Sequence, residues 1–433
     1  MKNNRIFCDF FKYVFLNILG QIGYSCYTMA DTFFVSADLG TKGLTALNLA
    51  FPMFCLMNGI GLMIGMGGGT CYSLARSRRE TQRANQIFTN AAYLTFTASA
   101  LFFFVGVFLS ESLVRILGAD DTMFALTNTY LKVMLLFAPA FFTNNLLQCF
   151  VRNDGNPALS MAAMITGSIS NVILDYIFIF PLGMGIFGSI FATGLSPIIS
   201  IIVLSPYFLK GKNHFHFIRK FSWQRVSNIV SNGIPPLVTE VSSGVVMFLF
   251  NFIILRLNGN TGVAAFGIVS VISLVVIAIY TGLSQGIQPI LSLNHGAGNK
   301  ENVNTIRTYA LTTALLLSVV LYSILFFGAD PIALVFNSEK DMLLQALAIP
   351  GIRLYFLACP FIGFNLVTAT YLISTEHPRP AQIISVSRGI LVLIPMAFLL
   401  SAIFGLTGVW CSYPLTEASV AIMAFIIYRK TAR

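Results

Sequence analysis

Apolar residues run through this chain in long uninterrupted stretches rather than in the short periodic patterns of a soluble fold. Three stretches, 84–110, 176–209 and 308–329, contain no charged residue. Each exceeds the roughly 20 residues that a membrane-spanning helix needs, and each is far longer than the alternating strands of about ten residues in an outer-membrane barrel. The pattern therefore predicts an all-α membrane protein.

Hydropathy and helix-breaking residues divide the sequence into twelve predicted transmembrane helices. Their predicted bounds are 10–37, 44–74, 87–110, 123–150, 159–181, 187–209, 229–257, 262–293, 304–328, 342–371, 383–403 and 406–428. The predicted organisation is an N-terminal six-helix lobe (1–209), a cytoplasmic linker (210–228) and a C-terminal six-helix lobe (229–433).

The two halves resemble one another in layout. Ala138-Pro139 matches Cys359-Pro360 at an offset of 221, and GIFGSIFAT (185–193) matches GLTGVWCSY (405–413) at an offset of 220. Because six is an even number, both halves cross the membrane in the same direction, and an axis along the membrane normal relates them. Two pseudo-symmetric bundles around a central cleft are more typical of a transporter than of an enzyme or a channel.

Charge is sparse and one-sided. Only 10% of the residues are charged, against about a quarter in a soluble domain. With both termini in the cytoplasm, 20 of the 26 Lys and Arg residues fall on the cytoplasmic side, Arg379 and Arg388 among them. The basic linker KGKNHFHFIRKFSWQR (210–225) then faces anionic lipid, which also explains the net charge of +10 without a nucleic-acid partner. His214 and His216 have no acidic or cysteine neighbour in this segment, so we expect no metal site.

Two aspartates lie inside stretches apolar enough to cross a bilayer. Asp31 falls in the first predicted span and Asp175 in the fifth. An ionised carboxylate is costly in hydrocarbon, so such a group must take up a proton or hold a cation. Neither has an acidic counterpart at the equivalent place in the second half, which predicts a coupling site confined to the first half.

Oxygen atoms near these aspartates would complete a cation-binding pocket. Asn171 precedes Asp175 by four residues and shares its helix face. Thr193 in the sixth span and Tyr130 in the fourth could add hydroxyls. Such a pocket suits a hard cation such as Na⁺, or a proton shared between neighbouring carboxyls.

The alternative is that each aspartate pairs with a basic group. The available candidates are Lys132, Arg256 and Arg353, which cluster near the predicted outer ends of spans. That position is more typical of interfacial anchors.

Glu240 and Glu417 are the intramembrane acids of the second half. Each lies near mid-span and follows a proline that distorts the helix. They are candidates for contact with a cationic substrate or a second ion. The alternative is a hydrogen bond to a neighbouring helix.

The chain resembles the multidrug and toxic compound extrusion (MATE) family, in a bacterial branch with DinF-like and MepA-like members. The resemblance covers essentially the whole chain. Its motifs are MADTFFVSADLG, LTALNLAFP, NVILDYIFIFPLGMGIFGSIFAT, GIPPLVTEVSSG, FNFIILRLNGNTGVAAFGIVS, GLSQGIQPILS and GLTGVWCSYP. Leu16-Asn17-Ile18 stands where the family commonly has an early proline in the first span.

The resemblance implies twelve helices in two lobes and export driven by inward flow of H⁺ or Na⁺. By position, Asp31, Asn171 and Asp175 match the family's cation site in the N-terminal lobe. Thr193 matches its sixth-span hydroxyl and Tyr130 a fourth-span tyrosine. Glu240 lies near a seventh-span glutamate of the sodium-coupled branch, at a different spacing from the preceding proline.

The predicted function is a cation-coupled antiporter of the cytoplasmic membrane that exports organic, cationic or amphipathic compounds. We expect a monomer with no cofactor beyond the coupling ion. The alternative within the superfamily is a lipid-linked saccharide flippase, which would be expected to have a cationic cavity. A membrane enzyme is disfavoured because all four histidines (214, 216, 295 and 377) fall in predicted cytoplasmic loops.

Overall fold

The computed structural model describes residues 2–337 and 341–431, with side chains from residue 5 onward. Lys340 and Arg433, which belong to the predicted charge distribution, lie outside these ranges. The first half contains α1 (Lys2–Ser77), α2 (Thr81–Phe108), α3 (Ser110–Ile116), α4 (Phe124–Leu136), α5 (Ala138–Asn153), α6 (Pro157–Ile179) and α7 (Gly185–Leu209). The second contains α8 (Trp223–Gly296), α9 (Lys300–Phe327), α10 (Ala329–Phe336), α11 (Met342–Tyr355), α12 (Cys359–Ser374), α13 (Pro378–Val386) and α14 (Leu393–Thr431).

Twelve spans result, as predicted. Among the described residues, eight helical stretches are long and apolar enough to cross a membrane, and the bent pair α4 and α5 makes a ninth. Three of the nine are interrupted by a residue with non-helical dihedral angles, at Gly40, Gly259 and Gly405. Each interruption is a tight reversal that separates two spans, which brings the total to twelve.

A repeated glycine pair forms the tight turns between consecutive spans. The pairs are Gly40 with Gly43, Gly185 with Gly188, Gly259 with Gly262, and Gly405 with Gly408. The first glycine of every pair has a positive φ, between 53° and 61°. At Gly40, φ is 58° and ψ is −141°, a region that is essentially restricted to glycine.

The second glycine lets the two spans meet. A Cβ atom on Gly43 would lie 2.7 Å from Cγ1 of Val35 in the preceding span. The equivalent Cβ on Gly262 would lie 2.8 Å from Cγ2 of Ile254. Positions 43 and 35 are each 219 residues before 262 and 254, so the internal repeat extends to the packing of these turns.

Proline marks a second repeated feature. Pro139 lies in the first turn of α5, where the chain bends by 47° from α4. Pro360 lies in the first turn of α12, after a short 3₁₀ segment at Phe356–Ala358. A proline is tolerated there because its missing N–H has no helical acceptor.

The described chain divides into two compact units by its internal contacts. One contains residues 15–241 and 292–298, and its core packs Leu131, Met134 and Phe142 among α1, α2, α4 and α5. The other contains residues 2–14, 242–291 and the described part of 299–433. Its core is centred on Trp410 and on the stacked rings of Tyr355 and Tyr413, whose centroids are 4.6 Å apart.

Candidate functional site

Asp31 and Asp175 come together inside the first unit. Asp31 in α1 is 7% exposed, and Asp175 in α6 is fully buried. Their carboxyl groups are close enough to share a hydrogen bond. Two ionised carboxylates have no hydrogen between them, so this contact requires a proton on one of them or a bridging cation.

Ser189 of α7 holds Asp31 in place. Its hydroxyl donates a 2.6 Å hydrogen bond to Oδ1 of Asp31, and both residues are buried. A serine hydroxyl is a weak sequence signal in an apolar helix, and the sequence reasoning did not single it out. The usable signal was its spacing, because Ser189 precedes Thr193 by four residues and therefore shares its helix face.

Asn171 connects Asp175 to Thr193. Its amide orientation is assigned from its neighbours: the NH₂ group lies 3.1 Å from Oδ2 of Asp175, and the carbonyl oxygen lies 3.2 Å from the Thr193 hydroxyl. Both Asn171 and Thr193 are buried. The two carboxyls thus each receive a donor from a neighbouring side chain.

One oxygen of the pair is left without a donor. Oδ1 of Asp175 is buried, and no hydrogen-bond donor among the described residues reaches it. A buried acceptor without a partner costs free energy. A proton carried by one of the two carboxyls, or a cation between them, would supply what this oxygen lacks.

Two tyrosines lie close to the carboxyl pair. Tyr130 of α4 is buried and lies within electrostatic range of both Asp31 and Asp175. Tyr27, one helical turn before Asp31, is buried in the same environment, and its ring packs edge-on against Tyr24 at 5.0 Å. Sequence reasoning missed Tyr27, although its four-residue spacing from Asp31 placed it on the same helix face.

The alternative, in which each aspartate pairs with a basic group, is not observed among the described residues. None of their salt bridges involves Asp31 or Asp175. Two of the three candidate bases contact aromatic rings instead. The guanidinium of Arg256 lies 4.2 Å from the ring centre of Phe252, and that of Arg353 lies 5.2 Å from Phe326.

Glu240 lies in a separate polar group of the same unit. Asn58 of α1 donates to Oε2 of Glu240 at 3.1 Å, and Asn145 of α5 donates to Oδ1 of Asn58 at 3.1 Å. The helices approach closely here, since a Cβ on Gly59 would lie 3.2 Å from the Cβ of Glu240. The predicted substrate or second-ion role of Glu240 stays a prediction.

Glu417 is engaged by a base within the second unit. Nε of Arg388 donates to Oε1 of Glu417 at 2.5 Å, and Asn365 donates to its Oε2 at 2.8 Å. The prediction that Arg388 belongs to a cytoplasmic flank is wrong: it is 9% exposed and lies in a π-helical turn, Ser387–Leu391, inside the eleventh span. Its position five residues after the start of the predicted span was the available signal. A substrate or ion would have to displace Arg388 to reach Glu417.

A family model described as MatE matches residues 17–177 and 235–415. Multidrug export protein MepA of Staphylococcus aureus (strain MSSA476) is 26% identical over 413 residues, which cover 95% of this chain and 90% of that protein. The protein of the same name from Staphylococcus saprophyticus is 25% identical over 414 residues, with the same coverage.

Solved structures share the fold. An outward-facing multidrug resistance MATE family transporter of the MOP superfamily superposes with a TM-score of 0.91 at 23% identity, over 98% of this chain and 95% of that one. A MOP superfamily transporter from Pyrococcus furiosus Vc1 gives a TM-score of 0.90 at 22% identity with the same coverage. The twelve-helix fold is therefore confirmed, and the chain is a multi-pass membrane protein.

Proposed function

Because this chain belongs to the MatE family, whose model matches both of its halves, we propose that it exports organic compounds in exchange for a cation. The curated relatives are named multidrug export proteins rather than enzymes. The substrates of this chain are then cationic or amphipathic compounds of varied shape. Transport proceeds by alternating access, in which the substrate site opens to one side of the membrane at a time.

The carboxyl pair Asp31–Asp175 is the coupling element, and its geometry is the observation that carries the proposal. When a proton or a monovalent cation binds between the two buried acids, the negative charge of the pair falls by one. Linkage then requires that the ion and the exported compound favour opposite states or compete for one state. Asn171, which also contacts Thr193, positions Asp175, and Tyr130 lies within electrostatic range of both acids.

The coupling ion that fits the described contacts is a proton. Each carboxyl already receives a hydrogen-bond donor, from Ser189 on Asp31 and from the amide of Asn171 on Asp175. The Asn171 carbonyl oxygen is turned toward Thr193 rather than toward the carboxyls. An NH₂ group rather than a further oxygen therefore faces the carboxyls, which suits a proton held between them better than Na⁺, a cation that takes oxygen ligands.

The proposed location is the cytoplasmic membrane with both termini in the cytoplasm. This orientation places most Lys and Arg residues on the cytoplasmic side. A saccharide flippase receives no support from the site, because Asp31 and Asp175 carry no basic partner among the described residues and Arg388 is neutralised by Glu417.

Transport by reconstituted vesicles under separate ion gradients tests the proposal. Efflux of a fluorescent cationic dye would be measured under a pH gradient without sodium, and then under a sodium gradient at equal pH. We expect efflux in the first case and none in the second. Efflux that needs sodium and ignores the pH gradient would overturn the assignment of the proton, and no efflux under either gradient would overturn the exporter.

A further inference from the structure

The segment that connects the two halves packs along the first unit. We use the name linker strap for residues 210–225. Three backbone N–H groups of the strap donate to side chains in the first three turns of α2. The hydrogen bonds run from His216 to Asn85, from Ile218 to Thr89 and from Ser222 to Asn90, each at 2.9 Å.

The start of the strap is anchored at a buried aspartate. Asp154, at the turn after α5, accepts from the backbone N–H of His214 at 2.9 Å. It also accepts from Tyr72, Arg76 and Tyr207 at 2.6 to 2.7 Å, and its side chain is fully buried. A carboxylate with four donors is well satisfied, so this anchor is rigid.

The buried ring of Phe215 fixes the strap between its attachments to Asp154 and to α2. Phe215 is 1% exposed and packs against four other rings at centroid distances of 4.5 to 5.7 Å. The four rings belong to Tyr72, Phe88, Phe150 and Phe208. His214 and His216, on either side of Phe215, are exposed.

The outward side combines aromatic and basic side chains. Phe217, Phe221 and Trp223 are 54%, 50% and 77% exposed. With Tyr93 of α2 they form a chain of ring contacts at 5.1 to 6.2 Å. Five basic residues lie in the same segment and no acidic ones: Lys210, Lys212, Arg219, Lys220 and Arg225.

The length of α2 places this surface of the strap near the membrane interface. α2 has 28 residues and is therefore about 42 Å long, against a hydrocarbon core of about 30 Å. Roughly four residues at each end then extend beyond the core. Asn85 consequently lies at the boundary between acyl chains and headgroups, where aromatic rings are favoured, and Asn90 lies about 8 Å further in.

We propose that the linker strap is a binding surface for anionic phospholipids. Its basic side chains contact the lipid phosphates, and Phe217, Phe221 and Trp223 enter the interface between headgroups and acyl chains. The location in the cytoplasmic leaflet rests on the orientation given under the proposed function. A lipid held there is fixed to the first unit through Asp154 and α2.

Trp223 provides a probe for this contact, since the other tryptophan, Trp410, is buried in the core. The protein and its Trp223→Phe variant would be reconstituted in vesicles that contain either phosphatidylglycerol or phosphatidylcholine with brominated acyl chains. The difference in fluorescence quenching between the two proteins reports lipid at Trp223. We expect stronger quenching by brominated phosphatidylglycerol than by brominated phosphatidylcholine at equal mole fraction.

Charge removal then tests the basic residues. Each basic side chain near an anionic surface contributes about a fivefold preference, so Lys212→Gln combined with Lys220→Gln should reduce the preference about 25-fold. The matched control, Lys42→Gln with Lys132→Gln, removes two exposed lysines elsewhere and should leave it unchanged.

Three results would overturn the proposal. They are equal quenching by the two lipids, a preference that survives the strap substitutions, and competition by inorganic phosphate in solution. The measurement requires no transport and uses anionic lipid in both leaflets. A failure of the strap is therefore distinguishable from a failure of the proposed export function.

Discussion

Ser196 donates a 2.9 Å hydrogen bond to the carbonyl oxygen of Gly167, between α7 and α6. The two positions 221 residues further on are Glu417 and Arg388, which form the buried ion pair of the second unit. The repeat thus preserves a contact while its chemistry changes from a neutral hydrogen bond to a pair of charges. The second half has the basic side chain of Arg388 at this place, whereas Asp31 and Asp175 in the first half have no basic partner among the described residues.

Removal of Arg388 should destabilise the protein strongly. Arg388→Gln leaves Glu417 buried without its charge partner, and breaking a buried pair from one side costs about 3–5 kcal/mol. The double variant Arg388→Gln, Glu417→Gln should recover most of this loss because no unpaired charge remains. Thermal unfolding of the detergent-solubilised variants measures both effects. A single variant as stable as the parent would contradict the role given to this pair.

Ser189→Ala should impair ion-driven efflux without lowering the amount of folded protein. The substitution removes the hydroxyl that donates to Asp31, and a hydrogen bond to a charged group contributes about 1.5–3 kcal/mol. That difference changes the balance between ion-loaded and empty states by roughly ten- to a hundredfold. Initial efflux rates across a range of external pH measure it, and Ser189→Thr, which keeps the hydroxyl, serves as the control. Equal rates for all three proteins would show that this contact does not position the site.

The turn glycines should be intolerant of a side chain. Gly40→Ala forces alanine into a backbone region that costs about 1–3 kcal/mol. Gly267→Ala is the matched control, because Gly267 lies in a regular part of α8 and a Cβ there meets nothing within 4 Å. The control should be neutral or slightly stabilising, since alanine favours helices over glycine by about 1 kcal/mol. Unfolding temperatures of the two variants that shift together would argue against the turn geometry.

The linker strap should become accessible to protease when its anchor is lost. Asp154→Ala removes the acceptor shared by Tyr72, Arg76, Tyr207 and the backbone of His214. We expect faster tryptic cleavage after Lys212, Arg219 or Lys220, detected by mass spectrometry of the fragments. Asp120→Ala, in the exposed turn before α4, is the control and should leave strap cleavage unchanged.

Much of the fold was predictable because membrane spans depend on one-dimensional hydropathy. Glycine further marks the reversals at Gly40, Gly259 and Gly405. The meeting of Asp31 and Asp175 could also be anticipated, since intramembrane acids avoid lipid and converge on polar partners. The division into two lobes joined by residues 210–228 stays a prediction. The contact units divide within α1 and α8.

The residues that sequence reasoning missed are those whose meaning depends on a distant partner. Ser189 and Asn58 are ordinary helix residues until Asp31 and Glu240 are placed beside them. Arg388 looks like an interfacial cation because it stands near the start of a hydrophobic run, and only the fold shows Glu417 opposite it. Asp154 in the segment Arg-Asn-Asp-Gly-Asn-Pro looks like a solvated turn residue, yet four donors converge on it.

Dye efflux driven by a pH gradient in the Asp175→Asn variant tests the central claim most directly. Asparagine preserves the shape of the side chain but cannot exchange a proton. Asp38→Asn, an exposed acid in the same helix as Asp31, is the control that should transport like the parent protein. We predict that folded Asp175→Asn protein binds dye but shows no efflux driven by the gradient. Undiminished efflux by that variant would contradict the assignment of the carboxyl pair as the coupling site.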